Sequence, residues 1–66
     1  MAVHFESTNQ EYGIRRVVID DPRNAGKFAA KVYCAVTGKN LCGVENIRDV
    51  EVAKSRSLKA AQKYYI

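Results

Sequence analysis

The side chains that could perform catalytic chemistry are few and poorly spaced. His4 is the only histidine, and at the start of the chain it is a poor general base for any serine or threonine. Asp20 and Asp21 are adjacent, so on a strand they point to opposite faces and cannot work as a carboxylate pair. No Gly-x-Ser-x-Gly, Walker or Rossmann motif occurs. The sequence therefore predicts a protein that is not an enzyme and holds no cofactor.

The two cysteines, Cys34 and Cys42, are too few to form a zinc tetrad. If Val36 pairs with Leu41, Cys42 lies opposite Ala35 on the other face of the sheet from Cys34, which disfavours a disulfide. The N-terminus does not resemble a secretory signal, and no apolar run approaches the roughly 18 residues of a transmembrane helix. These features predict an intracellular protein with reduced thiols and no membrane partner.

Basic side chains outnumber acidic ones. The 66 residues include 11 Lys and Arg and 7 Asp and Glu, which gives a formal net charge of +4. This balance favours polyanionic partners, and the length allows one small domain with a thin core. On a helix, Arg48, Arg56, Lys59 and Lys63 fall within an arc of roughly 80°. That arc is either a solvated helix face or a stripe that binds phosphates.

Three strands and one helix are predicted to position these charges. The strands cover Tyr12–Asp20, Lys27–Val36 and Leu41–Val44, with a hairpin turn before the third. Asn46 is the predicted N-cap of a helix that runs to about Tyr65. Small and apolar side chains at helical spacing predict one buried stripe on this helix: Ile47, Val50, Ala53, Ser57, Ala60, Ala61 and Tyr64. Alternation on the second strand predicts a buried apolar face of Phe28, Ala30, Val32, Cys34 and Val36.

The predicted fold class is α+β, with a three-stranded antiparallel sheet packed against one C-terminal helix. Residues 1–11 are predicted to be an N-terminal arm, either poorly ordered or a short extra element. Residues 12–66 then form the domain.

The segment Asp21–Cys34 resembles the central signature of double-stranded RNA-binding domains. That family reads Gly-Pro-x-His-x-x-x-Phe-x-x-x-Val-x-Val, and Pro22, Phe28 and Val32 stand at the matching positions. Asn24 occupies the position of the family's histidine, and Asp21 that of its glycine.

The segment Gly43–Glu51 is similar to the family's entry into its last helix. Its Asn-Ile-Arg run is similar to the domain at the end of fungal ribonuclease III and Dicer-type enzymes. The resemblance covers Tyr12 to about Tyr65. It implies the last four elements of the family's α-β-β-β-α fold, without the first helix.

The resemblance implies a non-catalytic module that binds double-stranded RNA through its shape and its phosphates. The loop after the first strand would enter a minor groove, where Asn24 would donate to a 2′-hydroxyl. Cations of the helix and of its entry would hold backbone phosphates. The predicted RNA-binding residues are Pro22, Arg23, Asn24, Arg48, Lys54, Arg56 and Lys59.

Two other functions remain open. The first is a protein-interaction or dimerisation module that uses a sheet edge or the surface left by the missing first helix. The aromatic tail Tyr64–Tyr65–Ile66 and the apolar Val52 on the basic face fit this interpretation. The second is a small phage-type inhibitor that docks on a host enzyme.

Overall fold

The sheet has four strands, and one helix follows it. A computed structural model describes residues 2–65 and contains β1 (Val3–Asn9), β2 (Ile14–Asp20), β3 (Phe28–Cys34), β4 (Asn40–Ile47) and α1 (Val50–Gln62). Neighbouring strands are antiparallel, in the order β1-β2-β3-β4. The predicted α+β class is confirmed. The predicted three-stranded sheet is wrong, because residues 3–9 form an additional edge strand.

Strand β1 is hard to see in the sequence because its inward face is mostly polar. Phe5, Ser7 and Asn9 are half-buried and alternate with exposed neighbours, so the segment has the period of a strand. Phe5 pairs with Val18 across the ladder, after a β-bulge near the start of the strand. Phe5 packs against the core beside α1. Residues 3–9 therefore form an ordered edge strand of the sheet.

The core lies between α1 and one face of the sheet. Side chains of β2 and β3 on this face are buried against small residues of the helix, in particular Ala53 and Ala61. The predicted apolar face of β3 is correct at Ala30 and Val32 and wrong at Val36, which is 85% exposed. The strand ends at Cys34, because the chain turns there: the Gly38 N–H donates to the Cys34 carbonyl at 2.8 Å.

Helix α1 begins later than predicted. Asp49, not Asn46, is the N-cap, and its carboxylate accepts a hydrogen bond from the Glu51 N–H at 2.7 Å. Ala53, Ser57 and Ala61 form its buried stripe, and their small side chains allow the helix backbone to lie close to the sheet. The predicted stripe of small residues is therefore correct, although the helix is shorter at both ends.

Arg16 cross-links the helix to the sheet. Its guanidinium donates to the Lys54 carbonyl at 3.2 Å and to the Ser57 hydroxyl at 3.0 Å. The same group lies 5.1 Å from the centre of the Phe5 ring. Arg16 therefore stabilises the interface between β1, β2 and α1.

The C-terminal tyrosines pack against the surface of the same chain. The Tyr65 ring stacks on Tyr12 with ring centres 4.4 Å apart, and the Tyr64 hydroxyl donates to the Leu41 carbonyl at 3.3 Å. Ile66, which the prediction joined to this tail, lies outside the described residues. Tyr65 and Tyr64 thus secure the end of the helix against the β1–β2 turn and β4.

The two cysteines lie on the same face of the sheet, not on opposite faces. Cys42 pairs with Val32, two residues before Cys34, so the predicted register is wrong. Both thiols are free. Diagonal neighbours on adjacent strands are about 7–8 Å apart, too far for a disulfide without backbone movement.

Candidate nucleic-acid interface

Three cations surround an open groove at the end of the molecule where β3 begins and β4 leads into α1. The groove has a volume of about 440 Å³. Among residues 2–65, no Asp or Glu lines it, and none of its three cations forms an ion pair. The described residues that line the groove are therefore either cationic or uncharged. The groove is lined by Lys27, Asn46, Ile47, Arg48, Val52 and Arg56.

Asp21 joins the two segments that form this end of the molecule. Its buried carboxylate accepts hydrogen bonds from the Arg23 N–H at 2.8 Å, the Asn24 N–H at 3.2 Å and the Asn24 side-chain amide at 2.9 Å. A fourth hydrogen bond, at 2.6 Å, comes from the Asn46 N–H on β4. The β2–β3 loop and the end of β4 are thus held by one anion.

These hydrogen bonds favour the ionised carboxylate. The side-chain amide of Asn24 contributes most, followed by the N–H groups of Arg23, Asn46 and Asn24, and together they lower the pKa of Asp21 from 3.8 to about 2. In the resemblance to the RNA-binding signature, Asp21 stands at the position of the glycine. In the structure the Asp21 carboxylate is buried and accepts hydrogen bonds from four donors. These bonds fix the conformation of the loop.

Asn46 has a left-handed backbone, with a φ of +58°, inside a β-bulge of β4. The ladder shows the bulge: one residue separates Phe28 from Ala30 on β3, whereas two residues separate Val44 from Ile47 on β4. Asparagine tolerates this conformation better than most residues, and the bond from its N–H to Asp21 stabilises it. Asn46 lines the groove, and its side-chain amide bonds to no described residue.

The predicted RNA-binding cations of the helix divide between two flanks. Arg56 lines the groove and Lys59 follows three residues later on the same flank, with both side chains exposed. Lys54 lies about 160° away around the helix. It pairs with Glu51 at 3.0 Å and lies 5.0 Å from the centre of the Phe5 ring. Arg48, Arg56 and Lys59 are therefore brought to one side, and Lys54 is not.

The predicted loop contacts lie at the same end of the molecule. Pro22 and Arg23 are exposed. Asn24 is half-buried, and one of its two amide hydrogens is used in the bond to Asp21. The Arg23 residue is therefore exposed to solvent, whereas the Asn24 amide donates one hydrogen bond within the loop.

The opposite face of the sheet carries a second, smaller set of charges. Arg15 forms an ion pair with Glu6, and its guanidinium lies 5.9 Å from the centre of the Tyr33 ring. Lys31 pairs with Gly43 across the β3–β4 ladder. One of these two cations is already matched by a carboxylate, so this face is less strongly cationic than the groove.

Two residues that line the groove, Lys27 and Asn46, are absent from the predicted RNA-binding residues. Strand alternation predicts that Lys27 lies on the face opposite Phe28 and Ala30, and it does not indicate which segment Lys27 would meet. Asn46 was assigned to a helix cap. The Asp21–Asn46 bond that organises this end joins residues 25 positions apart. No local pattern encodes such a contact; at most, the asparagine before Ile47 could have suggested a left-handed residue.

Comparisons with protein-family models, with curated proteins and with solved structures give no match. The resemblance to double-stranded RNA-binding domains therefore stays a prediction. Among residues 2–65, no helix has both the length and the apolar character needed to cross a membrane. Within the same range, no group of three or more His, Cys, Asp or Glu side chains is arranged to bind a metal ion.

Proposed function

We propose that this protein is a non-catalytic module that binds double-stranded RNA through its backbone phosphates. The observation that carries the proposal is the groove, in which Lys27, Arg48 and Arg56 converge without a carboxylate among the described residues. Clustered cations of this kind bind phosphates by releasing the counterions of the nucleic acid. The choice of RNA over DNA rests on the sequence resemblance.

Binding would begin at the groove and continue along the helix. Lys59 and Lys63 follow Arg56 at spacings of three and seven residues, so they extend the cationic flank by two turns. Arg23 adds a further exposed cation on the loop held by Asp21. Lys54 contributes little in this arrangement, because it is paired with Glu51 on the other flank.

The test is a titration of the full chain with an RNA duplex of about 16 base pairs and with the matching DNA duplex. Each titration is repeated over a salt series, because each phosphate contact adds about one unit to the steepness with which the logarithm of the binding constant falls against the logarithm of the salt concentration. We expect Arg48→Ala with Arg56→Ala to lower the slope by about two units. Lys31→Ala with Lys39→Ala removes the same charge away from the groove and is expected to leave the slope nearly unchanged.

Two results would contradict the proposal. The first is the absence of RNA binding at low salt. The second is an equal loss from both variant pairs, which would mean that net charge acts rather than the groove. A loss confined to the Lys31 and Lys39 variant would move the interface to the other side of the sheet.

The alternative is a protein-interaction module. It is favoured by the outer edge of β1, which pairs only with β2 and leaves a row of backbone N–H and C=O groups open to another strand. The aromatic tail no longer favours it, because Tyr65 is stacked on Tyr12. Size-exclusion chromatography with light scattering tests this function: a monomer at all concentrations argues against self-association through β1.

A further inference from the structure

The groove contains one polar group that is not a cation. Arg and Lys side chains only donate hydrogen bonds, whereas the amide of asparagine both donates and accepts. Asn46 is the only uncharged polar side chain among the residues that line the groove. A ribose 2′-hydroxyl also donates and accepts, and it is the group that distinguishes RNA from DNA.

We propose that Asn46 is the residue that recognises the 2′-hydroxyl of the RNA strand in the groove, and that Asp21 positions it. This inference rests on the proposed function. Asn46 is exposed, lines the groove together with the three cations, and has an amide that bonds to no described residue. Asn24, the residue that the sequence favoured for this role, has its amide turned toward Asp21 at 2.9 Å.

The backbone conformation at Asn46 determines the point and the direction from which its side chain leaves the chain. Its φ of +58° and the 2.6 Å bond from its N–H to Asp21 define the bulge from which the side chain projects. Asp21 is itself buried and bonded to three further groups of the β2–β3 loop. Asp21 is therefore a positioning residue, and its effect on the discrimination between the two duplexes is through the position of Asn46.

The experiment compares two RNA duplexes of the same sequence, one unmodified and one with 2′-fluoro sugars. The fluorinated duplex keeps the A-form and the phosphates but lacks the hydroxyl. We expect the wild-type chain to bind it about two- to tenfold more weakly, the effect of losing one neutral hydrogen bond. We expect Asn46→Gly to bind both duplexes equally, with an unchanged salt slope.

Glycine is the appropriate substitution because it adopts a positive φ without strain, so the bulge and the fold are kept. Asn40→Ala removes an exposed amide at the far end of β4 and is expected to keep the discrimination. Asp21→Asn is expected to reduce the discrimination because Asn46 is released from its position. A purely structural role for Asn46 would leave the ratio of the two affinities unchanged in Asn46→Gly.

The outcomes separate this inference from the function on which it rests. If the wild-type chain binds neither duplex at low salt, the proposed function fails and the inference fails with it. If it binds both duplexes equally, or if Asn46→Gly keeps the discrimination, the function stands and the role of Asn46 is refuted.

Discussion

A single carboxylate joins two distant parts of the sequence in this small protein. Asp21 accepts four hydrogen bonds, three from its own loop and one from Asn46, 25 residues further along the chain. A buried charge is costly unless such donors surround it, and removing the charge would leave the donors without an adequate acceptor. The groove cations Lys27 and Arg48 lie on the two segments that this carboxylate holds together.

Acid is expected to destabilise the fold through Asp21. Its pKa is about 2 in the folded chain and 3.8 ordinarily, so ionised Asp21 stabilises the folded state above about pH 3.8. That contribution is lost as the pH falls from 3.8 toward 2. Chemical denaturation across this interval measures it. Asp20 also has a lowered pKa, set first by its hydrogen bond with His4, and adds to the same trend.

The comparison that isolates Asp21 is Asp21→Asn, which has nearly the same shape and no titration. We expect this variant to be less stable than wild type at pH 5. Its free energy of unfolding should also fall less steeply between pH 5 and pH 2. His4→Ala serves as the matched control for the Asp20 contribution. Parallel curves for wild type and Asp21→Asn would show that Asp21 does not contribute to the acid sensitivity.

The elements that the sequence predicted well are those with a strong apolar period. The face of β3 containing Ala30 and Val32, and the helix stripe of Ala53 and Ser57, are both recognisable from spacing alone, and both are buried. β1 lacks such a period because only Phe5 among its inward residues is large and apolar. Its existence depends on pairing with β2, a contact that only the folded chain supplies.

The candidate site was predicted only in part, for a related physical reason. Helical spacing correctly grouped Arg56 with Lys59, since both lie on one flank. It could not place Lys27 beside them, because that proximity depends on the β3–β4 register and on a bulge. Helical spacing also places Lys54 on another flank, three residues after Glu51, whereas its contact with Phe5 depends on the packing of the helix against β1.

The status of β1 can be tested with one pair of substitutions. Phe5 packs on the core and lies under two cations, so we expect Phe5→Ala to lower the free energy of unfolding by about 1–3 kcal/mol. Val3 in the same strand is 60% exposed, and Val3→Ala is expected to change the free energy of unfolding by less than about 0.5 kcal/mol. Urea denaturation measures both. If β1 were a loose arm, neither substitution would have a measurable effect.

At the scale of the whole molecule, the net charge of +4 is distributed unevenly. The cations that pair with carboxylates, Arg15 and Lys54, lie on the sheet face opposite the helix and on the flank of the helix above β1. Those around the groove have no such partner among residues 2–65. Their mutual repulsion opposes folding, so a polyanion bound in the groove should stabilise the folded chain.

Tripolyphosphate is therefore expected to raise the melting temperature. A ligand that binds only the folded state adds about 2.7 kcal/mol at 100 times its dissociation constant, and each kcal/mol raises the melting temperature of a domain this small by about 4–8 °C. We expect a large shift for the wild-type chain and for Lys31→Ala with Lys39→Ala, and little shift for Arg48→Ala with Arg56→Ala. Thermal unfolding at constant ionic strength, with sodium chloride replacing the tripolyphosphate, separates binding from general screening. An equal shift in all three proteins would mean that the anion acts on net charge, and that the groove is not a preferred site for phosphate.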